Sequence, residues 1–479
     1  RMPDAESTMA VAAVARAAIR RGKQVLVLAP EIEGVERLLQ AFERLLPAGL
    51  TVAPYHSAIG RGRAAVYETA RRGEVDVLIG TRAAVLVPMA RLGAICVVDE
   101  PNEAHRASPG YEGVPIHIRE LAIARGRIEV AAVLFLSPFP SLRLYAPESG
   151  VLRLPPREPD RWPSVAVVDM RGTGAVLSSM LLEACRRTLS LGGRVGVVVN
   201  KVGRATSFSC KRCGCVWSCP ECGLSLALRD MAGSLSLFCR HCGHREDAGQ
   251  RCPDCGSDRV GGTGFAVERV REELAEALRV EVGLATAGVR EGEEAPVVVG
   301  TARYMLEGEW DLVVVPDADS LLFGGVVSVE KGFRFLYRAA EASRSRLLVQ
   351  TRSPEHDILQ AVLRGDYDAF AASELLKRRR LRYQPYAHLA EIVFDGAEET
   401  VRRAVESRLR PALEDGVEML DPVPFPGDGG RFVWRVLLRS RKRGALMRTA
   451  ALVARLAAKT RGRSRDGLRA NINMDPEEV

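Results

Sequence analysis

Short hydrophobic runs alternate along most of the chain with longer segments in which apolar residues recur every three or four positions. The short runs are rich in valine and leucine and carry few polar residues, which is typical of parallel strands buried on both faces. The longer segments, such as 33–46 and 267–278, have the spacing of helices that cross over between such strands. The predicted strands are 24–30, 75–82, 95–100 and 132–137 in the first part of the chain, and 194–200, 297–301, 312–317 and 347–351 in the second.

The two sets of strands follow one plan. In each set a strand ends in Gly-Thr, and a later strand ends in an acidic residue sixteen to eighteen positions further on. This repetition predicts an α/β fold with two open lobes, 1–160 and 161–365, that each contain a parallel sheet. A nucleotide would bind at the carboxyl ends of these strands, in loops that face a cleft between the lobes.

The last quarter of the chain has a different pattern. Strand and helix segments follow one another in the order β-α-β-α, which predicts a small α/β domain over 366–479. Trp434 lies in the second of these strands, where an aromatic residue is more often part of the core than a platform for stacking bases. The predicted elements are a strand at 389–394, a helix at 399–413, a strand at 432–438 and a helix at 445–459.

The composition is that of a globular protein with a mildly basic surface. The 479 residues are 47% hydrophobic, no apolar run has transmembrane length, and 68 Lys and Arg against 60 Asp and Glu give a net charge of +8. Scattered arginines usually form a solvated surface, but several cluster in the last quarter of the chain and are better candidates for phosphate contacts. The clusters are Lys377 to Arg382, Arg439 to Arg443, and Arg461 to Arg465.

Eight of the eleven cysteines form four Cys-x-x-Cys pairs. Two residues between the thiols let both sulfur atoms bind one tetrahedral ion, so four pairs indicate two zinc sites of four thiolates each. A disulfide cluster or a redox dithiol is the alternative, but no signal peptide indicates export, and a redox enzyme needs only one such pair. We therefore predict a zinc-binding insertion over 206–262, after the first strand of the second lobe. The pairs are Cys210 and Cys213, Cys219 and Cys222, Cys239 and Cys242, and Cys252 and Cys255.

The segment between the second and third pairs favours one assignment of ligands. Residues 224–228 and 234–238 alternate apolar and polar, so we expect a β-hairpin with its turn at 230–233. The hairpin would bring the two inner pairs to one ion and leave the two outer pairs to close around the other. This nested pairing is preferred, and sequential pairing is the alternative.

Other cysteines and histidines are less good candidates. Cys215, His241 and His244 lie in or near the cluster and could replace a ligand, although a bystander role is preferred for all three. Cys96 and Cys185 have apolar surroundings in the sequence and are predicted to be small core residues.

Together these features resemble the primosomal replication-restart (PriA) family, a branch of the superfamily 2 helicases, over nearly the whole chain. The most specific similarity is at 210–268, with Cys-Pro-Glu-Cys-Gly, Cys-Arg-His-Cys-Gly, Cys-Pro-Asp-Cys-Gly and a Gly-x-Gly-Phe-x-x-Glu ending. Further matching stretches are 56–57, 79–85, 168–171, 317–319, 366–370, 385–386 and 473–476.

The resemblance implies two RecA-like helicase lobes, a C-terminal domain that contributes to DNA binding, and two zinc ions with the nested assignment. The family's N-terminal DNA-binding domains, which recognise the 3′ end of an arrested nascent strand, are not part of this sequence, and we expect further sequence upstream of Arg1. In the implied assignment Cys210, Cys213, Cys252 and Cys255 bind the first zinc ion, and Cys219, Cys222, Cys239 and Cys242 bind the second.

Residues 2–9 align with the family's phosphate-binding loop but lack its chemistry. Such a loop needs glycines, whose backbone N–H groups wrap the phosphates, and a lysine that reaches the terminal phosphate oxygens. This segment has no glycine, and Ser7 stands where the lysine should be. Asp4 and Glu6 place negative charge where a triphosphate would lie. At ~4 Å such a charge pair costs on the order of 1 to 4 kcal/mol.

The acidic motif of the first lobe is also altered. Asp99 and Glu100 occupy the positions of the family's magnesium-binding and water-activating acids, where the expected run is Asp-Glu-Glu-His. Pro101 interrupts this run and restricts Glu100. We interpret Asp99 and Glu100 as degenerate remnants, and we predict neither cofactor-binding residues nor binding of ATP and Mg²⁺.

Three further motifs have lost their characteristic residues. Residues 136–141 lack the coupling Ser-Ala-Thr, and 300–308 has lost the usual Lys and His. The stretch 341–346 replaces the Gly-Arg-Ala-Gly-Arg that supplies arginine fingers, and we interpret Arg344 and Arg346 as surface residues. Phosphoryl transfer needs the lysine, the metal and the finger together, so these losses argue against ATP hydrolysis.

The sequence therefore predicts a replication-restart scaffold without intrinsic helicase activity. It would bind forked or single-stranded DNA at stalled or branched forks and promote primosome assembly and loading of the replicative helicase. Primosome proteins, the replicative helicase and single-strand-binding protein are the expected partners of a cytoplasmic, nucleoid-associated monomer with no membrane segment. One alternative is an active ATP-dependent 3′→5′ DNA helicase whose nucleotide loop is unconventional or lies upstream of Arg1. Another is a zinc-stabilised protein-interaction scaffold with little affinity for DNA.

Overall fold

By its internal contacts the computed structural model divides into two units. The first comprises Arg1–Pro156 and Asn471–Asp475, and the second comprises Arg157–Ala470 and Pro476–Val479. The structure describes residues 5–106, 116–154, 162–173, 175–199, 208–210, 212–213, 215–217, 219–220, 226–231, 234–239, 244–262, 267–286, 289–322, 328–396, 398–420, 423–426, 432–460 and 469–475.

A parallel sheet forms the centre of the first unit. Its strands are β1 (Gln24–Leu28), β2 (Val52–Tyr55), β3 (Val77–Gly80), β4 (Leu92–Val98) and β5 (Ala132–Leu136). They lie in the order β2-β3-β1-β4-β5, and all their pairings are parallel. Every residue of β1 and β3 is buried, which explains the continuous apolar runs that predicted them. The four predicted strands are confirmed, whereas β2, which contains Pro54, is not among them.

Helices cover both faces of this sheet. They are α1 (Ala5–Ile19), α2 (Ile32–Leu45), α3 (Gly62–Arg72), α4 (Ile118–Glu129) and α5 (Leu142–Tyr145). On one face α2 buries Val35, Leu38 and Phe42, whose spacing of three and four residues predicted this helix. On the other face Ile118 of α4 packs with Ile95 of β4. Full burial of each such large side chain stabilises the fold by roughly 1.5–3 kcal/mol.

The rest of the chain contains a larger parallel sheet, the insertion and an antiparallel sheet. Within the described ranges, no helix combines the length and the apolar character needed to cross a membrane. The strands are β6 (Ser164–Asp169), β7 (Val195–Val198), β8 (Phe208–Cys210), β9 (Leu226–Met231), β10 (Ser234–Cys239), β11 (Arg245–Asp247), β12 (Val260–Gly262), β13 (Val282–Ala285), β14 (Arg290–Glu291), β15 (Val297–Gly300), β16 (Trp310–Val315), β17 (Ser343–Thr351), β18 (His388–Gly396), β19 (Val417–Met419), β20 (Val423–Pro426), β21 (Phe432–Ser440) and β22 (Arg469–Met474). The helices are α6 (Ser179–Ser190), α7 (Val267–Leu278), α8 (Ala302–Met305), α9 (Asp319–Leu322), α10 (Ser328–Glu341), α11 (Asp357–Arg364), α12 (Tyr367–Leu381), α13 (Glu398–Ala404) and α14 (Arg443–Thr460).

In the described part of the second unit, the parallel sheet has the order β14-β13-β15-β7-β16-β17-β6. Its pairings are parallel except at one edge, where β14 runs antiparallel to β13. The predicted strands are confirmed as β7, β15, β16 and β17, and the helix predicted at 267–278 is α7. Because β6 precedes β7, the insertion follows the second strand of this sheet along the chain, and the prediction that it follows the first is wrong.

The insertion contains two small antiparallel sheets. In one, β8 pairs with β12, and in the other β10 lies between β9 and β11. The predicted hairpin is confirmed as β9 and β10, but its strands are longer than expected. Asp230 and Met231 belong to β9, and Met231 pairs with Ser234, so the turn is shorter than the predicted 230–233.

An antiparallel sheet follows in the C-terminal part. β18 and β21 pair over nine residues each, and β19 and β20 also pair with β21. Both predicted strands and the helix at 445–459 are confirmed. The helical segment predicted at 399–413 is confirmed over 398–412, but its geometry changes along the way, because α13 passes into a π-helical segment, Val405–Leu409, and then into a tight final turn that contains Pro411. Trp434 is 7% exposed and is therefore a core residue.

Candidate metal centre and nucleotide-site remnants

Two turns, one near each end of the insertion, form the candidate metal centre. Cys210 is the last residue of β8, and Cys213 lies in the turn that follows. Cys252 and Cys255 lie in the second turn, shortly before β12. Pairing of β8 with β12 places Cys210 opposite Val260 and so brings the two turns together.

The four sulfur atoms have the arrangement that a tetrahedral ion requires. All four Sγ atoms lie within 4.8 Å of one another. The Cys210 and Cys255 sulfurs are 3.7 Å apart, and those of Cys213 and Cys252 are 3.4 Å apart. Zinc–sulfur bonds of about 2.3 Å in tetrahedral geometry place neighbouring sulfurs about 3.8 Å apart. The two outer cysteine pairs therefore form a cluster that can hold a metal ion, and its donor set fits zinc.

Backbone hydrogen bonds fix the two turns. The Arg212 N–H donates to the Cys210 sulfur at 3.3 Å. In the second turn the Cys252 N–H donates to the Ser257 carbonyl at 2.8 Å. Gly256 has a φ of +69°, which closes this turn without the strain that a Cβ atom would cause. The ligand positions are thus set by local structure.

The thiols need an external cation to become thiolates together. Burial raises the pKa of Cys213 to about 12. Burial acts in the same direction on Cys252, but backbone N–H groups of Cys255 and Asp254 donate to its sulfur and lower its pKa to about 7. Metal ligands must be deprotonated, so a divalent ion would supply the missing positive charge and release protons on binding.

A small hydrophobic core supports the cluster. Phe208 and Trp217 pack edge to face with ring centroids 4.9 Å apart. Leu226 and Leu237 of the hairpin are fully buried in the same group of residues, which also includes Cys219. Small modules with few buried apolar side chains usually depend on a metal for stability.

The structure places part of the second predicted zinc site. Cys219 is buried next to the first cluster, and Cys239 ends β10. Cys222 and Cys242 lie outside the described residues, as does His241. Binding of a second zinc ion by Cys219, Cys222, Cys239 and Cys242 therefore stays a prediction.

The remaining cysteines and His244 have other surroundings. The Cys215 sulfur is half-buried and is not one of the four clustered sulfur atoms. His244 Nε2 lies 3.3 Å from the Glu246 carboxylate. Cys96 and Cys185 are fully buried, and burial raises the pKa of each to about 12. The prediction that these two are core residues is confirmed.

The altered phosphate-binding segment continues into α1. Residues 1–4 lie outside the described residues, and Ser7 and Thr8 are helical, with Thr8 only 8% exposed. Glu6 is exposed in the first turn of α1. A helix N-terminus attracts anions, and here a carboxylate already occupies the end at which a phosphate would bind.

Asp99 and Glu100 differ in accessibility. Glu100 is fully buried, and its carboxylate accepts hydrogen bonds from Arg119 Nη1 and, at 2.9 Å each, from the Ser141 N–H and hydroxyl. Asp99 is half-buried with a φ of +50° and accepts a hydrogen bond from Asn102 Nδ2 at 2.7 Å. Both oxygens of Glu100 are therefore occupied by protein donors. Arg119 and Ser141 are absent from the sequence prediction because no local spacing links them to Glu100.

Two buried histidines lie beside this ion pair. His105 Nε2 is 2.8 Å from the Val98 carbonyl, and His117 Nδ1 accepts a hydrogen bond from the Arg119 N–H at 3.1 Å. Their ring centroids are 6.1 Å apart. Burial lowers the pKa of both histidines, and the Arg119 charge lowers that of His117 further. Both side chains are therefore neutral in the folded protein.

A chain of ion pairs continues from Glu100 to the segment Asn471–Asp475, which belongs to the same unit. Arg119 contacts Glu100 and lies 3.6 Å from Glu120. Arg143 then lies 3.1 Å from Glu120 and 3.0 Å from Asp475. These side chains are mostly buried, so Glu100 belongs to a buried network of ion pairs.

Arg344 and Arg346, in the stretch 341–346, lie at the amino end of β17. This is the end of the strand opposite to the one where parallel α/β sheets bind nucleotides. α10 ends at Glu341 and β17 begins at Ser343, so Arg344 and Arg346 occupy the start of a parallel strand. Both are exposed, and Arg344 forms an ion pair with Glu309 at 2.8 Å. Ligands of open α/β sheets bind beyond the carboxyl ends of the strands. The structure therefore agrees with the interpretation of both arginines as surface residues.

At the carboxyl end of β17, Asp319 is closed off by protein donors. It is 3% exposed and accepts hydrogen bonds from Thr351 Oγ1 at 2.5 Å and from the Arg352 N–H at 2.9 Å. Arg352 also forms an ion pair with Asp319 at 3.4 Å. The sequence singles out the acidic motif 317–319 but gives no sign of these partners.

Among the clustered basic residues, Arg378 is unavailable to phosphate. It is 4% exposed and forms ion pairs with Glu374 at 2.9 Å and with Glu330 at 3.4 Å. Its charge is neutralised inside the protein. The expectation that the basic residues from Lys377 to Arg382 contact phosphate is therefore wrong for Arg378.

The ends of α12 and β21 form a basic surface. Arg439 Nη1 donates to the Leu381 carbonyl at 3.2 Å, and Arg382 and Arg439 both pair with Glu418. Arg439 and Arg382 together lower the pKa of Glu418. Nearby in the sequence, Arg380, Arg441 and Lys442 are exposed and have no ion-pair partner among the described residues. The C-terminal basic patch is defined as Arg380, Arg382, Arg439, Arg441 and Lys442; residues 461–465 lie outside the described residues.

Comparison with known proteins gives matches to one family. Residues 379–477 match the family described as "Primosomal protein N C-terminal domain". The chain is 30% identical to the Replication restart protein PriA of Synechocystis sp., with 88% of this chain and 56% of that protein covered. It is 31% identical to the Bacillus subtilis protein of the same name, with 81% and 51% covered, and 26% identical to that of Haemophilus influenzae, with 96% and 67% covered. The chain thus spans about half the length of the first two relatives.

Solved structures are more distant. RecG bound to a three-way DNA junction is 14% identical, with a TM-score of 0.38 and coverage of 74% of this chain and 40% of that one. Dbp5 of S. cerevisiae bound to RNA and ADP BeF3 is 11% identical, with a TM-score of 0.35 and coverage of 75% and 81%. Sequence identity to the PriA proteins over most of the chain and the C-terminal family match agree with the motifs in the sequence. The chain belongs to the PriA family of replication restart proteins.

Proposed function

We propose that this chain binds forked or single-stranded DNA at stalled or branched replication forks and supports primosome assembly and loading of the replicative helicase, without hydrolysing ATP. The name of its relatives, replication restart protein, supports this role. The role requires primosome proteins, the replicative helicase and single-strand-binding protein as partners of a monomer at the cytoplasmic nucleoid.

The burial and hydrogen bonding of the Glu100 carboxylate are the main support for the proposal that this chain does not hydrolyse ATP. A carboxylate that activates water must reach a water molecule within hydrogen-bond distance. Glu100 is fully buried and its oxygens accept hydrogen bonds from Arg119 and Ser141. Freeing it would take the main carboxylate partner from the buried Arg119 cation and leave the longer contact with Glu120 at 3.6 Å, and breaking a buried ion pair costs about 3–5 kcal/mol. The serine at position 7 and the exposed Glu6 add to this argument.

The C-terminal basic patch supports DNA binding. Its five cationic side chains face one carboxylate, that of Glu418, so most of its positive charge has no protein counter-charge among the described residues. Exposed cations of this kind exchange small ions for DNA phosphates, and release of those ions drives binding.

The four-cysteine cluster supports a structural metal. Four thiolate ligands fill a tetrahedral zinc shell and leave no open position for water or substrate. We propose that Cys210, Cys213, Cys252 and Cys255 hold one zinc ion, and that the inner cysteine pairs hold a second. When bound, zinc would stabilise the insertion and keep its turns in place.

Fork binding and ATP turnover, measured together, test the proposal. Fluorescence anisotropy of a labelled fork is titrated at several salt concentrations with and without ATP, and phosphate release is followed in parallel. We expect affinity that falls steeply with salt, no effect of ATP, and no hydrolysis above that of an E100Q variant. Saturable, fork-stimulated hydrolysis that E100Q abolishes would instead identify an active helicase.

A charge-matched pair of variants tests the DNA surface. R380Q/R441Q removes two charges from the C-terminal basic patch, and R20Q/R21Q removes two exposed charges from the end of α1. We expect the slope of log K against log salt to become shallower by about 1.4–1.8 in the first variant and to stay unchanged in the second. Wild-type protein with no salt-dependent binding would favour the protein-interaction scaffold.

A further inference from the structure

Three arginines surround a depression beside the four-cysteine cluster. The depression has a volume of about 450 Å³. No apolar side chain is among its lining residues, which are Arg212, Arg251, Gly256, Ser257, Asp258 and Arg259.

The metal-binding turns bring these arginines together. Arg212 lies inside the first Cys-x-x-Cys turn, Arg251 immediately precedes the second, and Arg259 immediately precedes β12. Pairing of β8 with β12 and clustering of the four sulfurs hold both turns in one place. Three positive charges that are up to 47 positions apart in the sequence therefore share one surface.

The side chains that line this depression carry more positive than negative charge, and the proposed zinc ion with its four thiolates beside them would carry a formal charge of −2. None of the three guanidinium groups has an ion-pair or hydrogen-bond partner in the part of the chain that the structure describes, and all three residues are exposed. Asp258 supplies one negative charge, which leaves a net charge of +2 from three arginines and one aspartate. The Arg212 backbone N–H, rather than its side chain, donates to the Cys210 sulfur, so the guanidinium group remains available to a ligand.

We infer that this depression, the arginine pocket, binds phosphate groups of a DNA strand. A guanidinium group can donate two parallel hydrogen bonds to two oxygens of one phosphate. This planar geometry makes arginine more suitable for binding phosphate than a single point charge would be. A protein segment would need an apolar or aromatic anchor in the pocket, and the lining provides none. The inference rests on the proposed DNA-binding function and adds a second phosphate-binding surface to the C-terminal basic patch.

The test compares binding of a labelled oligo(dT) strand to the full chain and to R212Q/R251Q/R259Q. We expect the variant to bind about tenfold more weakly at 0.1 M salt. Its slope of log K against log salt should become shallower by about 2, because three phosphate contacts are lost at ~0.7 each. Zinc content and melting temperature are measured alongside, and unchanged values show that the turns are intact.

The matched control is R20Q/R21Q/R187Q, which removes three exposed charges elsewhere. We expect its affinity to stay within about twofold of the wild type, because charges that make no phosphate contact release no ions. Equal loss of affinity in both triple variants would assign the effect to overall charge and overturn the inference.

Two further outcomes separate this inference from the proposed function. If R380Q/R441Q weakens binding while the pocket variant binds like its control, the arginine pocket is wrong and the DNA-binding function stands. If the wild type itself shows no salt-dependent binding, the proposed function fails. A labelled polyglutamate peptide whose binding requires Arg212, Arg251 and Arg259, with DNA binding unaffected, would assign the pocket to an acidic protein partner and contradict the inference.

Discussion

The four-cysteine cluster and the Glu100 cluster both gather reactive side chains, but only the first leaves them available to a ligand. The Glu100 cluster consists of Glu100, Arg119, Ser141, His105 and His117. In the four-cysteine cluster the sulfur atoms lie within 4.8 Å of one another, and none of them has a cationic side chain as hydrogen-bond partner among the described residues. In the Glu100 cluster Arg119 already supplies the positive charge.

This difference shows that the counter-charge decides what a group of titratable residues can do. Buried thiols without a cation are protonated and become strong ligands only when a metal arrives. A buried carboxylate that already has a guanidinium partner gains little from a metal or a water molecule, and it stabilises the fold instead. In this chain Glu100, at the position of the family's catalytic acid, is held in a buried ion pair, while the metal-binding turns hold four sulfur atoms in ligand geometry.

The largest expected effect follows from removing one ligand of the four-cysteine cluster. Cys252→Ser should lower the zinc content by one equivalent and unfold the insertion, because binding of structural zinc is coupled to folding and is worth about 10–16 kcal/mol in small zinc modules. Zinc release with a chromogenic chelator and the fluorescence of Trp217 report the two changes. Cys215→Ser is the matched control, since that sulfur lies outside the cluster. A Cys252→Ser protein with its full zinc content would contradict the ligand set.

The next largest effect concerns the Glu100 cluster. Glu100→Ala should lower the free energy of unfolding of the first unit by about 3–5 kcal/mol, because it removes the main carboxylate partner of the buried Arg119 cation and leaves the longer contact with Glu120 at 3.6 Å. Urea denaturation measures the loss. The double variant E100A/R119A should lose less than the sum of its single variants, since the second change removes the buried cation that has lost its main partner. Additive losses would show that the two side chains do not depend on each other.

Local patterns in the sequence predict most of the fold. Strands such as β1 and β3 are buried on both faces and appear as continuous apolar runs, and helices such as α2 show their buried face every three or four residues. Two of the strands that were missed are short and interrupted: β2 contains Pro54 and is only half-buried, and β13 contains Gly283 within four residues. The helical segment predicted at 399–413 is present, but its change to π geometry at Val405 is not visible in the spacing of its apolar residues.

The two clusters differ in how far the sequence can predict them. Each cysteine pair is encoded by a spacing of three positions, so the candidate ligands could be named without a structure. The donors to Glu100 lie 19 and 41 residues away along the chain, at Arg119 and Ser141. Side chains that meet only through tertiary packing leave no periodic pattern, and the alignment with a catalytic acid therefore gave no indication of burial.

The buried histidines add a pH dependence that the four-cysteine cluster does not share. His105 and His117 have pKa values lowered by burial, so the folded state stays neutral while the unfolded chain takes up protons below about pH 6.5. Their contribution to stability is present above pH 6.5 and is lost as the pH falls. The free energy of unfolding of the first unit should drop by about 1.4 kcal/mol per pH unit for each histidine. Urea titrations between pH 7 and 5 measure this slope.

His117→Asn provides the control for that slope. Asparagine keeps an oxygen that accepts the Arg119 N–H at the start of α4 but cannot take up a proton. We expect its slope to be half that of the wild type. An unchanged slope would mean that other groups control the acid sensitivity of this unit.

The smallest expected effect is at the far end of the ion-pair chain, and it tests whether the Glu100 cluster extends to the C-terminal segment. Asp475→Asn removes the charge that Arg143 contacts at 3.0 Å, in a pair that is mostly buried. Because Arg106 still binds the Asn473 side chain at 2.5 Å and the Asp475 carbonyl at 2.6 Å, the segment should stay in place. We therefore expect a loss of about 1 kcal/mol, because Arg143 keeps its ion pair with Glu120 at 3.1 Å and asparagine still offers an oxygen to its guanidinium group. A larger loss, together with faster proteolysis of residues 471–475, would show that the carboxylate of Asp475, rather than the hydrogen bonds of Arg106, holds this segment against the first unit.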